Sequence, residues 1–360
     1  RIDLDKKVSG EAEFLDDLSF PGMLHALVLR SPHAHAEIVN INLEKALEVE
    51  GIEKIITGQD ITDEIINIDI GDHRPIAVDK VRFHGEPVAV VLSENKWQAK
   101  EALDLIEVEY EPLEAVLRAK DAVKEDAPLI HEKQEDYERH MDTNYHKNSN
   151  IFRHYKLRKG NLEEAFKKAD KIIENTYDYP QRSHTQMETH GAIAKWYSDE
   201  EMVMYASTQS PFFVRTAIAD MFKLDAPKIT VKSGYLGGGF GGKSDVAIEP
   251  LTAFVAKFVP NKYVKLRLSR EEAFNASLIA RGGEVDLKTA VTKDGKILGE
   301  KVNIYFSSGA YGSTSVHIVT AGGHNSSGPY EIDNFEVDSY GVYTNTPPVG
   351  AFRGYSHPEV

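Results

Sequence analysis

Apolar positions in the first hundred residues recur at the strand and helix periods in turn. Met23-Leu-His-Ala-Leu-Val-Leu29 has strand composition and is broken by Ser31-Pro32-His33. Leu43 to Val49 is a short helical candidate, and Gly51-Ile-Glu-Lys-Ile-Ile-Thr57 returns to strand. A clearer β-α-β unit follows. Glu86-Pro-Val-Ala-Val-Val-Leu92 is a strand, and Ser93 is the expected cap of a helix from Glu94 to about Leu105 with Trp97, Ala102 and Leu105 on its apolar side. Ile106-Glu-Val-Glu-Tyr110 alternates as a strand and ends at Pro112.

From Pro112 to Arg153 the pattern turns polar. His131-Glu-Lys-Gln-Glu-Asp136 and the stretch from Asn144 to Asn150 are expected to be linker or surface loop. Beyond it, Asn161 to Ala169 is a helix capped by Asn161 with Glu164 three residues on. Strands are expected at Lys171–Tyr177, Ala192–Tyr197, Val203–Ser207 and Lys228–Tyr235, and helices at Gln209–Met221 and Asp245–Phe258. The remainder is mostly strand and loop, with Asp294-Gly295 as a hairpin turn. These elements divide the chain into 1–125, a linker over 126–152, and 153–360.

Length and composition narrow the function. A chain of 360 residues, 41% hydrophobic, exceeds what a single core usually serves. The net charge of −15 disfavours nucleic acid and anionic membrane as partners. No apolar run is long enough to span a bilayer, and no secretory signal opens the chain at Arg1, whose identity suggests a trimmed start. A cytoplasmic location is the expectation. There is no cysteine, so disulfides, thiolate metal sites, iron–sulfur ligation and a Cys nucleophile are excluded within the chain.

Candidate chemistry concentrates in Gly237-Gly-Gly-Phe240-Gly-Gly-Lys243-Ser244, where five of the first six residues are glycine. Such a run lets backbone N–H groups face a ligand, and the helix expected after it favours an anionic one. The ordinary alternative is a flexible linker. The segment also matches the phosphate-loop pattern from Gly237 to Ser244, which makes a nucleotide hydrolase the rival reading. Against it, the preceding strand alternates polar and apolar residues, and no apolar strand ending in a magnesium-binding Asp follows.

The same residues resemble the molybdenum hydroxylases of the xanthine dehydrogenase/aldehyde oxidase type. Gly238-Gly-Phe-Gly-Gly-Lys243 is similar to their glycine loop, Ser207-Thr-Gln209-Ser-Pro-Phe212 to their TQ segment, Gln186-Met-Glu188-Thr-His190-Gly-Ala192 to MEPHGA, and Ala351-Phe-Arg353-Gly-Tyr355 to AFRG[FY]. Val8-Ser-Gly-Glu-Ala12, Arg30-Ser-Pro-His-Ala-His35 and His84-Gly-Glu-Pro-Val-Ala89 resemble their hammerhead domain. The resemblance implies an α+β chain, with a hammerhead-type α/β domain followed by a mixed molybdenum-cofactor-binding domain. It implies a molybdenum–pterin cofactor in a dinucleotide form, held by dithiolene sulfurs rather than protein thiolates.

It further implies that Gly238, Gly239, Phe240, Gly241, Gly242 and Arg353 bind the cofactor. Gln209, Phe240 and Arg353 would lie near the metal, and Ser244 and Tyr355 would face a small-molecule substrate. The reaction implied is hydroxylation of an electron-poor carbon in a heteroaromatic or aldehyde substrate, with water as oxygen source. The partners implied are a C-terminal molybdopterin-binding subunit or segment, an iron–sulfur subunit and an FAD subunit. The general-base glutamate is expected outside this chain, which ends at Val360.

The purine-oxidising members carry a glutamate where Ser244 stands, and an arginine near the position of Ala321, so purine recognition of that kind is not expected. An ordinary surface glutamine is the alternative for Gln209, and a surface arginine for Arg353. His33 and His35 suggest a metal pair only if a third ligand is near; a polar turn is the alternative. His184, Glu188 and His190 line a polar channel or form a satisfied structural network.

Overall fold

The computed structural model describes residues 4–357; Arg1 and Val360, with their neighbours at the two ends, lie outside the described residues. Its strands are β1 (Leu24–Arg30), β2 (Ala36–Asn42), β3 (Ile52–Thr57), β4 (Lys80–Val81), β5 (Pro87–Ser93), β6 (Glu107–Pro112), β7 (Ile151–Lys159) and β8 (Lys171–Tyr179). These are followed by β9 (Gly191–Trp196), β10 (Met202–Ala206), β11 (Ile229–Lys232), β12 (Val264–Arg267), β13 (Gly282–Val291), β14 (Ile297–Ser307) and β15 (Phe335–Val342). The helices are α1 (Leu4–Ser9), α2 (Glu44–Leu47), α3 (Lys96–Leu105), α4 (Ala119–Ala122), α5 (Leu162–Lys168), α6 (Pro211–Met221), α7 (Glu249–Ala256), α8 (Arg270–Asn275) and α9 (Ser315–Asn325). The mixture of helix and sheet is the α+β class that the sequence implies.

The chain packs as two units, each assembled from separated stretches. One comprises residues 1–67, 73–113 and 184–278; the other comprises 68–72, 114–183 and 279–360.

The first unit is organised by a seven-stranded mixed sheet of order β11-β10-β9-β12-β1-β5-β3. Its seam joins distant sequence: β1 lies parallel to β12, with Leu24 opposite Val264 and Ala26 opposite Leu266. Strand β5 is buried along nearly its whole length, which explains its unbroken apolar run. Ala89 and Val91 pack with Ala99 and Ala102 of α3. Val88 packs with Ala36 and Val81 of a three-stranded sheet of order β4-β2-β6. Each such buried Val contributes about 1.5–3 kcal/mol relative to exposure.

Helix α3 is capped by Asn95, whose Oδ1 accepts from the Trp97 N–H at 2.9 Å, rather than by Ser93. Ser93 ends β5 and donates to the Gly51 carbonyl at 2.7 Å. Trp97 is 82% exposed, against its expected place on the apolar side. The buried stripe runs through Ala99, Ala102 and Ile106, and Trp97 projects from the opposite face. Helix α7 packs on β9, where the Trp196 indole N–H donates to the Ala253 carbonyl at 2.9 Å. It begins at Glu249 rather than Asp245, because Pro250 is tolerated only in a first turn.

The second unit is built on a five-stranded sheet of order β7-β15-β14-β13-β8. The expected hairpin at Asp294-Gly295 joins β13 to β14, with Gly295 at φ +87°. Helix α9 covers β15 and β7, and α5 covers β14. The stretch expected as surface linker is packed here. Val116, Ala119, Ala122 and Ile130 join Phe152 and Tyr343 in one core, and His131, Gln134 and Asn150 are buried. The Asn150 amide explains why a polar residue can sit there. It donates to the Ala122 and Pro128 carbonyls and accepts from the Ile130 N–H at 3.0 Å.

Candidate functional site

The glycine-rich segment leaves β11 at Ser233 and crosses to α7. Two short turns shape it: the Gly242 N–H donates to the Gly239 carbonyl at 2.8 Å, and the Ser244 N–H to that of Gly241 at 2.9 Å. Gly238 and Gly241 lie at φ +100° and +98°, where L side chains are strained. Between them Phe240 adopts φ +54° and leaves its ring half exposed. At Gly242 a Cβ would come within 2.7 Å of the His184 ring, and at Gly239 it would enter the Gln209 carboxamide. The run of glycines is therefore demanded by close approach as much as by backbone angle.

Beneath the loop lies a buried ion pair. The Lys243 side chain is fully buried; its Nζ donates to Glu188 Oε2 at 2.8 Å and to Ser207 Oγ at 2.6 Å. The Ser207 hydroxyl in turn donates to Glu188 Oε2 at 2.7 Å. Glu188 also clasps the loop's entry, where Oε2 accepts from the Gly237 N–H at 2.9 Å and its own N–H donates to the Gly237 carbonyl at 3.1 Å. Burial alone would raise the Glu188 carboxyl, but Lys243, Gly237 and Ser207 together hold it below the usual range. Burial draws the Lys243 ammonium down, and Glu188 opposes this. His190 donates from Nε2 to the Gly242 carbonyl at 2.8 Å. Burial lowers its pKa to about 4, so it is a neutral imidazole. Glu188 and His190 thus belong to a structural network.

This arrangement removes the nucleotide-hydrolase reading. Its lysine would have to reach phosphate, whereas Lys243 is consumed internally. The strand before the loop, β11, is a four-residue edge strand rather than a buried central one.

Gln209 sits between β10 and α6, against the loop. Its N–H donates to the Lys243 carbonyl at 2.7 Å, and its Oε1 accepts from the Gly241 N–H at 3.1 Å. With Oε1 so engaged, the Nε2 group is the donor edge of an exposed side chain, and it has no protein partner among the described residues. The N–H groups of Gly238, Gly239 and Phe240 are likewise without a hydrogen bond among the described residues. Amide donors in a cradle that a Cβ would obstruct suit an anionic, oxygen-bearing group rather than a bare metal ion. They fit a pterin cofactor that brings its own metal ligands. No cluster of three or more metal-ligating side chains occurs among the described residues, so His33 and His35 gain no third ligand.

The structure brings Gln209, the loop from Gly238 to Gly242 and the half-buried Ser244 together in the first unit. Arg353 and Tyr355 belong to the second. There, Gly354, Tyr355 and Ser356 all have positive φ (+107°, +52° and +72°). The turn is anchored where Ser356 Oγ donates to the Ile318 carbonyl at 3.2 Å, and Arg353 and Tyr355 are exposed. Ser207 as a support of the loop was not legible from sequence; a lone serine carries no signal. Arg270 was missed too. Its guanidinium donates to the Gln186 and Met187 carbonyls at 2.5 and 2.9 Å, steadying the segment that carries Glu188.

Residues 144–360 match the molybdopterin cofactor-binding domain, and residues 9–114 match the a/b hammerhead domain of aldehyde oxidase and xanthine dehydrogenase. The chain is 34% identical over its whole length to the nicotinate dehydrogenase large molybdopterin subunit of Eubacterium barkeri, covering 81% of that protein. It is 30% identical to the carbon monoxide dehydrogenase large chain of Hydrogenophaga pseudoflava, over 96% of this chain and 44% of that one. The solved quinoline 2-oxidoreductase of Pseudomonas putida 86 superposes with a TM-score of 0.83 at 26% identity, over 97% of this chain and 44% of that one. The chain thus spans less than half of the latter two proteins. Two matched domains, in order and covering most of its length, place it: the chain belongs to the molybdenum hydroxylase family, as part of the molybdopterin-binding subunit.

Proposed function

We propose that this chain serves an enzyme that hydroxylates an electron-poor carbon, with water as the oxygen source. The observation that carries the reading is the cradle itself: three consecutive backbone N–H donors without partners among the described residues, beside the outward amide of Gln209. Gly238 to Gly242 would hold the molybdenum–pterin cofactor, in a dinucleotide form, with Arg353 as an additional anchor. When bound, the cofactor supplies the two-electron redox chemistry. The Gln209 amide and the loop donors present fixed dipoles where negative charge gathers during the reaction. Phe240 is proposed to lie near the metal, and Ser244 in the first unit and Tyr355 in the second are each proposed to face the substrate.

Two proteins similar to this chain are named for nicotinate and quinoline, both heteroaromatic, and the Tyr355 ring suits stacking on such a ring. A heteroaromatic substrate is therefore favoured over an aldehyde. The partners proposed are a C-terminal molybdopterin-binding subunit or segment carrying the general base, an iron–sulfur subunit and an FAD subunit, in the cytoplasm. No helix among the described residues is long and apolar enough to cross a membrane. Along the sequence, the hammerhead-type segment is proposed to run over 1–125 and the cofactor-binding segment over 153–360, joined by 126–152.

The test is purification of the chain with its neighbours, followed by metal and pterin analysis and assay with nicotinate, quinoline and aldehydes. Stoichiometric molybdenum and pterin with turnover of a heteroaromatic supports the reading; a complex without either refutes it.

A further inference from the structure

A second cleft in the first unit, of about 800 Å³, lies between β1, the start of α3 and the segment from β12 into α8. Six cationic side chains line it: Arg30, Lys96, Lys100, Lys265, Arg267 and Arg270. The lining carboxylates are Glu271 and Glu272. On a chain of net charge −15 this is a local reversal of sign.

Internal pairing does not cancel it. Arg30 pairs with Glu272 at 2.8 Å, yet its Nη2 is buried without a hydrogen-bond partner. Lys265 and Arg267 share the single carboxylate of Asp16, at 3.0 and 2.6 Å. Arg270 donates from Nη2 to two backbone carbonyls, Lys100 pairs with Asp104 one turn along α3 at 2.5 Å, and Lys96 has no ion-pair partner among the described residues. The surplus field is felt by His25 in the same cleft, which burial first, and then Lys96 and Lys265, hold below its ordinary pKa. The remaining lining is apolar, with Leu27, Leu103 and Leu266.

The cleft is distinct from the cofactor cradle, although both use residues 186–190. That segment alternates: Gln186, Glu188 and His190 meet the glycine loop, whereas Met187 and Thr189 line the cleft.

We propose that this cleft is a binding site for an organic anion carrying two or more phosphate or carboxylate groups. Its charged groups would lie among the lysines and Arg30, and its apolar part against Leu27, Leu103 and Leu266. The volume lies in the range of small-molecule sites.

Calorimetry on the chain purified with its partners, using inorganic pyrophosphate and citrate as separate probes at moderate salt, tests this. Binding of either at one site, with Kd below about 1 mM, is expected. Whichever binds tighter tells phosphate from carboxylate as the preferred group. Lys96→Ala with Lys100→Ala, two exposed positions on α3, should weaken it at least about tenfold while leaving the thermal midpoint and metal content unchanged. Absence of heat, or equal affinity in the double variant, overturns the proposal. So does shielding of Lys96 and Lys100 from an amine-reactive label in the complex without added anion, since a partner chain would then fill the cleft.

Discussion

Lys243→Met tests whether the buried pair, rather than a ligand, is the reason for the lysine. Methionine keeps a straight chain of similar length in the same space and removes the ammonium. Glu188, whose side chain is 11% exposed, is then left buried with only the Gly237 N–H and the Ser207 hydroxyl on Oε2, while Oε1 already lacks a partner. Removing one partner of a buried pair costs about 3–5 kcal/mol, and the two surviving donors place this case near the lower end, at about 3 kcal/mol. For a unit of this size that is a fall of about 6–12 °C in Tm. Adding Glu188→Gln removes the stranded charge but keeps an acceptor, so the double variant should recover at least about 2 kcal/mol. Denaturation followed by tryptophan fluorescence reads this directly, because Trp196 is buried in the same unit. The carboxyl of Glu188 is held below its ordinary value, so its contribution is present at neutral pH and is lost as pH falls through the folded value. The acid limb of stability should therefore flatten in the double variant. A Lys243→Met protein within about 0.5 kcal/mol of the parent, or a double variant as unstable as the two singles summed, refutes the reasoning.

Gln209→Ala should keep molybdenum and pterin but lose roughly a hundredfold in turnover, and Gln209→Glu should be worse still; unchanged turnover in the complex would move the metal elsewhere. Gly239→Ala should reproduce the Gln209→Ala loss with little change in Tm, because the new methyl displaces the flexible end of that side chain, and combining the two should add little; additive losses would contradict this. Asp72, buried in the second unit, accepts from the Gly312 N–H and the Tyr343 hydroxyl, both at 2.7 Å, and burial raises its pKa from 3.8 to about 6. The fold favours the neutral acid, so stability should fall by about 3 kcal/mol as pH rises from 4 to above 6, and Asp72→Asn should abolish that fall. A denaturation series across this window that shows the same slope in both proteins would falsify the assignment.

Much of the local structure was legible in sequence because it is set by short-range physics. The Asn161 cap with its bond to the Glu164 N–H, the Asp294-Gly295 turn and the apolar run of β5 each depend on residues within a few positions. Helix α8 carries a local mark of the same kind, the capping box of Ser269 and Glu272, whereas α9, with two glycines in its last turns, carries none. The glycine loop and Gln209 were visible as a candidate site because only a close backbone approach needs so many glycines in a row.

What the sequence by itself determined is therefore the alphabet of elements, the glycine loop as a candidate site and, through the order of its motifs, the family. The direction in which side chains face was decided by tertiary structure. Lys243 reads equally well as a phosphate ligand or a buried partner until Glu188, 55 residues earlier, is placed 2.8 Å away. Polar Asn150 reads as surface until the carbonyls of Ala122 and Pro128 surround it. Strand β1 has no local mark of its parallel neighbour β12, which lies some 240 positions along the chain. In each case the deciding energy is the desolvation of a polar group or the pairing of a sheet edge. Its sign depends on a partner that no local window of the sequence contains.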